Sequence, residues 1–307
     1  MLLRLVQNRE VVGRILKAPR AARWGQRALP VTLRVGRAVP SAPPCVKWSH
    51  FPSVPLVILS LAILLQAGCD RSQPGSGNPA RVADLVPLTN MVLIKAGSFV
   101  RQKQLVTLTH DFWLSKYEVT QADYAAVTGK NPSNFQGDPN RPVEKVRYYE
   151  ALDYCAAITR REAEAGRLSS GYAYRLPTEA EWEFACRAGS TNLFSFGDDA
   201  SVADKYAWTL ENSEAETHPV GLKQPNPWGL YDIHGNVWEW TLDWFAEYPA
   251  DDLKDPVGPA QGIYKVFRGG SWNHAVEFAR SRNRFMMPPT NGIYFVGFRL
   301  ALGHKIP

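Results

Sequence analysis

The chain has 307 residues, 45% of them hydrophobic and 11% aromatic, an apolar content that excludes a disordered polymer and is enough to fill a sizeable core. Its net charge of +6 would point to nucleic acid if the basic residues lay on the folded body, but ten of the 35 Lys and Arg fall in residues 1–69 beside a single acid, Glu10. The 25 basic and 28 acidic residues that remain give a net charge of −3 and no basic stripe interleaved with aromatics, so no nucleic-acid partner is expected.

Residues 1–45 are Arg-rich and poor in acids, and are read as a leader outside the folded body. Residues 46–69 follow as a signal peptide. Their apolar run Val54–Leu65 has 12 residues, short of the roughly 20 that span a bilayer as a helix. Gln66-Ala67-Gly68-Cys69 then resembles a lipoprotein box, with small residues before a cysteine that would be lipidated. A charged region of 45 residues is too long for an ordinary signal peptide, which leaves two readings: a true start near Val46, or an organelle transit peptide. The cysteine box favours the first. Export to the periplasm or cell envelope is expected, with the membrane reached through a lipid anchor on Cys69 or an uncleaved signal anchor, and ordinary secretion as the remaining alternative. Residues 70–84, rich in Pro, Gly and Ser, read as a flexible linker.

From 85 to 303 no comparable break occurs, and one domain is expected. Met91–Ile94 and Gln104–Thr109 alternate apolar and polar residues with β-branched types and predict strands. Thr120 and Thr178 each stand three residues before an acid, Asp123 and Glu181, which marks capped helix starts. A third helix is expected from Tyr148 to Ala165, with Ala151, Leu152, Cys155 and Ile158 on one face. Trp113, Trp182, Trp208, Trp228, Trp238, Trp240, Trp244 and Trp272 sit among Gly-rich turns, as in a loop-heavy fold organised by large aromatic side chains, most of them core.

The ordered segments Met91–Phe99, Lys116–Tyr124, Arg175–Glu183, Pro219–Gly221, Trp228–Trp240, Phe267–Trp272 and Gly297–Arg299 resemble the formylglycine-generating enzyme (sulfatase-modifying factor) family. The resemblance implies an α+β fold, the compact variant of the C-type-lectin-like architecture with little regular secondary structure. It does not imply one chemistry, because the same domain is similar to sulfoxide synthases of ergothioneine synthesis, a pyoverdine-maturation enzyme and bacterial surface lipoproteins.

The family's oxidases bind copper through two thiolates that follow a Gly-Gly-Ser turn, soft ligands suited to Cu(I), and convert a substrate cysteine into formylglycine. Here Gly269-Gly270-Ser271 is followed by His274 at the first thiolate position, and the second falls near Ala279. The only cysteines are Cys45, Cys69, Cys155 and Cys186, which argues against copper. Three residues are expected to line what remains of the cleft: His274, Ser271 and Trp238. Imidazole can ligate a redox metal, so a divergent site on His274 stands beside its reading as a polar lining group; His218 and His234 read as structural. Ser271 has no hydrolase signature around it.

By the same resemblance a calcium ion would be held by the side chains of Asp232 and Glu239 and the carbonyls of Gly235 and Val237, while the family's second calcium loop is not recognisable in 210–218. The competing reading pairs Asp232 and Glu239 with Arg268 or Arg299, or has them cap backbone amides. Arg280, Arg282 and Arg284 would bind an acidic ligand or join an ion network, and Cys155 and Cys186 would form a disulfide or stay as buried thiols.

Two functions compete. One is an exported binding or structural module for a peptide, glycan or envelope protein, without copper-dependent oxidation. The other is an enzyme on the same scaffold: a metal oxidase using His274, a small-molecule-modifying catalyst as in ergothioneine or pyoverdine pathways, or a divergent sulfatase-maturation enzyme.

Overall fold

The computed structural model describes Leu85 and residues 87–306; the expected leader, signal segment, Cys69 and linker lie outside the described residues. The fold is α+β: among the described residues, three small sheets and three α-helices are joined by long loops and short 3-10 turns. Strands β1 (Met91–Ile94), β4 (Phe112–Ser115), β5 (Tyr172–Arg175) and β11 (Ala301–His304) form one sheet in the order β1-β4-β11-β5. The last strand is thus inserted between two earlier ones, antiparallel to both, and ties the end of the domain to its beginning.

A hairpin of β2 (Gly97–Arg101) and β3 (Gln104–Leu108) turns at Gln102 in the left-handed region (φ 58) and takes β7 (Leu253–Lys254) as a parallel third strand. β3 stops one residue short of the stretch expected from sequence. The cause is Asp255, whose carboxylate accepts from the Thr109 backbone N–H at 2.7 Å and from its hydroxyl at 2.5 Å, drawing Thr109 out of the ladder. The third sheet, β10 (Val296–Gly297), β6 (Trp238–Trp244), β8 (Lys265–Arg268) and β9 (Phe285–Met287), carries the residues of interest.

Helix α1 (Gln121–Thr128) begins where the Thr120 hydroxyl accepts from Asp123 N, and α3 (Glu179–Arg187) where Thr178 and Glu181 bond reciprocally to each other's backbone N–H, as the spacing predicts. Helix α2 (Tyr148–Glu164) ends with Ala165 as its cap and buries Ala151, Cys155 and Ile158 together. Every residue of α3 is buried, so this helix has no polar face and its charged side chains must find partners inside the protein.

Trp182, Trp238 and Trp240 are fully buried and Trp272 nearly so, whereas Trp113, Trp208, Trp228 and Trp244 are half-buried. Cys155 lies in the core cluster formed with α2, and Cys186 in the cluster formed with α3. The two thiols are free, so of the alternatives open at the sequence level the buried thiols hold and the disulfide does not. Burial pushes the Cys186 thiol up to about 12 and the Cys155 thiol higher still, which keeps both protonated and unreactive. No helix among the described residues is long and apolar enough to cross a membrane.

Candidate functional site

The loop before β6 is built from backbone conformations that few residues tolerate. Asp232 and Asn236 both adopt positive φ (56 and 60), a region that Asp and Asn enter more readily than most residues. Between them a Cβ on Gly235 would lie 2.3 Å from the Trp208 carbonyl oxygen, so only glycine fits. Asn236 then locks the loop: its amide donates to Glu118 Oε2 at 2.7 Å and to the His218 carbonyl at 3.1 Å, and its Oδ1 accepts from His218 N at 3.0 Å. The Val237 N–H donates to Glu118 Oε1 at 3.0 Å.

Three buried carboxylates gather around this loop: Glu118, Asp232 and Glu239. Glu239 receives two bonds of 2.6 Å from the Arg299 guanidinium and one of 2.7 Å from the Trp182 indole. The partner open at the sequence level is therefore Arg299; Arg268 is committed elsewhere. Asp232 caps the Gly221 N–H with Oδ2 at 2.7 Å and leaves Oδ1 buried with no partner. Burial raises its carboxyl to about 6, and burial together with the nearby Asp232 and Glu239 holds Glu118 well above the usual carboxylate range.

A hard cation fits this chemistry. One oxygen of Asp232 is unused, and three carboxylates face the single Arg299 guanidinium. Glu239 would share its oxygens between the ion and Arg299. No group of three or more His, Cys, Asp or Glu among the described residues is disposed to hold a metal by itself, so the Gly235 and Val237 carbonyls would have to complete the set.

Ser271, His274 and Trp238 do come together. The Gly269-Gly270 turn (φ 108 and 84) passes so close to Ala279 that a Cβ on Gly270 would sit 2.9 Å from it, and this directs the Ser271 hydroxyl inward. Ser271 Oγ lies 2.8 Å from His274 Nδ1 and 2.8 Å from Asn273 Oδ1, and the Trp238 indole N–H points to the same Nδ1 at 3.3 Å. An indole only donates, so His274 Nδ1 is the acceptor and the imidazole carries its proton on Nε2. Burial lowers the pKa of His274 and keeps it neutral.

In that tautomer Nδ1 faces the Trp238 indole and the Ser271 hydroxyl. Ser271 is wholly buried beside the ring. Around His274 the rings of Phe278 and Phe295 stand at 5.4 and 5.1 Å, and Phe285 packs on Trp238 at 4.9 Å. Phe278, Phe285, Met286 and Tyr294 are exposed, so the rim is an open aromatic surface.

His234 and His218 are engaged in packing and hydrogen bonds away from this cluster. His234 is fully buried, with Nδ1 on the Ala279 carbonyl at 2.8 Å and Nε2 on Ser195 Oγ at 2.8 Å, and burial lowers its pKa to about 4. His218 stacks on Trp208 at 3.7 Å and bonds the Ser213 carbonyl through Nε2. Of the arginine trio, Arg284 joins an ion pair with Glu179, Arg282 is exposed, and Arg280 keeps a buried Nε without a partner.

Sequence reasoning missed Glu118, Glu179 and Glu183. The available signal was an acid placed inside a run that must be core, as in Tyr117-Glu118-Val119.

Residues 78–303 match the sulfatase-modifying factor enzyme 1-like domain family. The chain is 30% identical over 237 residues to the chaperone protein LppX of Paenibacillus barcinonensis, covering 62% of this chain and 81% of that protein. It is 34% identical over 182 residues to the formylglycine-generating enzyme of Bos taurus, covering 54% of this chain and 45% of the enzyme, less than half its length. The solved structure of Treponema denticola variable protein 1 superposes with a TM-score of 0.63 at 32% identity, covering 69% of this chain and 94% of that one. The C-type-lectin-like architecture and these matches together place the chain in the sulfatase-modifying factor enzyme 1-like domain family.

Proposed function

We propose that this protein is an exported, lipid-anchored binding module that holds polypeptide segments of an envelope partner on the aromatic surface around His274, without copper-dependent cysteine oxidation. One observation carries the reading. Where the family's oxidases keep a copper thiolate, His274 has Nδ1 committed to Trp238 and Ser271 beneath exposed rings of Phe278 and Phe285. Open aromatic rings without a reactive group between them suit binding better than turnover. Similarity to a chaperone supports a polypeptide ligand, and the Cys69 box supports a lipid anchor. Calcium on Asp232 and Glu239, with the Gly235 and Val237 carbonyls, would stiffen the loop that carries Trp238.

The test is anisotropy of a fluorescent, reduced and carboxymethylated α-lactalbumin titrated with the purified protein. Saturable binding that Phe285→Ser and Phe278→Ser weaken about tenfold, with unchanged circular dichroism, is the expected outcome. No binding by the folded wild type would sink the proposal. In the native host, Cys69→Ser should move the protein from the membrane fraction to the soluble one; unchanged membrane association would refute the lipid anchor.

A further inference from the structure

A cavity of about 990 Å³ opens between β2, the end of α3 with the loop that follows it, and residues 282–284. Its lining includes four arginines, Arg101, Arg187, Arg282 and Arg284, together with the polar loop residues Thr191 and Asn192, and Asp198 as the one acid. Asp198 is taken up locally, accepting from the Leu193 N–H at 2.7 Å.

The floor of this cavity is a buried ion network with more guanidinium than carboxylate. Glu183 accepts from Arg101 Nε at 2.9 Å, Arg187 NH2 at 2.7 Å and Arg268 NH2 at 2.7 Å. Glu179 accepts from Arg268 Nε at 2.9 Å and pairs with Arg284 at 2.7 Å. Four guanidiniums therefore share two glutamates. The next carboxyl, Asp243, accepts from the Glu179 N–H at 2.7 Å, and burial and Glu179 raise its pKa, which reduces the negative charge it can offer.

Arg101 shows where the imbalance is unmet. It is 4% exposed, held by Glu183 and stacked over Tyr248 at 4.4 Å, yet its NH2 group is buried with no partner. An unpartnered guanidinium nitrogen in a buried position is costly unless an acceptor arrives. Arg282 is exposed and adds a positive charge to the same lining.

We propose that this cleft is an oxyanion site, in which Arg101 NH2 at the floor and Arg282 at the lip hold a phosphate or sulfate group, free or borne on a sugar. Guanidinium forks match tetrahedral oxyanions through paired donors, and a low-dielectric floor strengthens the contact. The cavity is far larger than one such group, which leaves room for an organic body against the Phe99 and Phe184 rings and the Thr191 and Asn192 side chains. The site does not depend on the aromatic surface around His274.

Isothermal titration of the full chain, in low-salt buffer free of phosphate, with inorganic phosphate, inorganic sulfate and glucose 6-phosphate tests it. One saturable site is expected for at least one probe, weakened about tenfold or more by Arg101→Gln, the loss of a charged hydrogen bond, and several-fold by Arg282→Gln. Because Arg282 is exposed, that variant keeps the fold if Arg101→Gln loses it. His274→Ala should bind as the wild type does. Tighter binding of the ester than of phosphate would assign the site to a sugar-borne group, and equal binding to the free ion. Absence of saturable heat with every probe up to millimolar concentrations, or binding unchanged by Arg282→Gln, would overturn the proposal.

Discussion

Two buried charge networks meet at Trp182 with imbalances of opposite sign. On its N–H edge, Glu118, Asp232 and Glu239 face one guanidinium, Arg299, and the orphaned atom is an acceptor, Asp232 Oδ1. Over its ring face, at 5.8 Å, stands Arg268 in a network where Arg101, Arg187, Arg268 and Arg284 share Glu179 and Glu183, and the orphaned atom is a donor, Arg101 NH2. An indole presents a positive edge and a negative face, so one residue serves both sides. The difference teaches what each region lacks: the first has the chemistry to accept a cation, as proposed for calcium, and the second that to accept an anion, as proposed for the cleft. Neither ligand follows from fold alone, because a fully balanced network would build the same sheet.

The largest way to break the comparison is to remove the guanidinium that pairs with Glu239 on the acidic side. Arg299→Met strands buried carboxylates and should cost about 3–5 kcal/mol, read as a lowered midpoint in urea denaturation. A cost comparable to that of an exposed substitution would mean that the carboxylates are already protonated or solvated. Trp182→Phe removes one charge-assisted donor from Glu239 and should cost about 1–3 kcal/mol in the same measurement, less than the loss of Arg299.

Asp232→Asn sharpens the contrast, because it removes a charge and should stabilise. The folded Asp232 carboxyl is raised to about 6 from 3.8, so the folded state holds its proton where the unfolded state has released it. Its contribution is fully present below the unfolded pKa and is lost as pH rises through about 6. In calcium-free buffer the variant should therefore be about 1–2 kcal/mol more stable than wild type near neutral pH, with the gain fading in acid. Calcium should reverse the order, raising the melting temperature of the wild type more at about pH 7.5 than at about pH 5, where protonated Asp232 is a poorer ligand, and leaving Asp232→Asn unmoved. A pH-independent calcium response, or one that survives in Asp232→Asn, would place the ion elsewhere. The smallest expected effect is that of Thr178→Ala, which loses one cap of α3 at about 1 kcal/mol in the same urea measurement.

Local chemistry was legible in the sequence where partners lie a few residues apart. The Thr178–Glu181 capping box, the start of α1 at Thr120 and the span of α2 to within a residue follow from spacing alone. The convergence of Ser271, His274 and Trp238 was reached through family resemblance rather than spacing. The charge networks were not legible, because their members are far apart in the chain: Glu118 meets Val237, Arg101 meets Glu183, and Arg268 meets Glu179. Helix α3 hides them further, since burial on every side erases the amphipathic stripe that a sequence reading uses. Arg280, Arg282 and Arg284 are neighbours in the chain, but only Arg282 and Arg284 line the cleft, and Arg101 and Arg187 arrive there from a strand and a helix that no local pattern connects.

The central claim is that this member of the family keeps the oxidase scaffold and uses its old cleft to bind. The direct test is to incubate the purified protein with a Cys-X-Pro-X-Arg peptide, oxygen and copper, beside His274→Ala, and to read the peptide by mass spectrometry. The account predicts a cysteine of unchanged mass in both samples. Formylglycine that appears with the wild type and disappears with His274→Ala would contradict it, and would make His274 part of a catalytic centre.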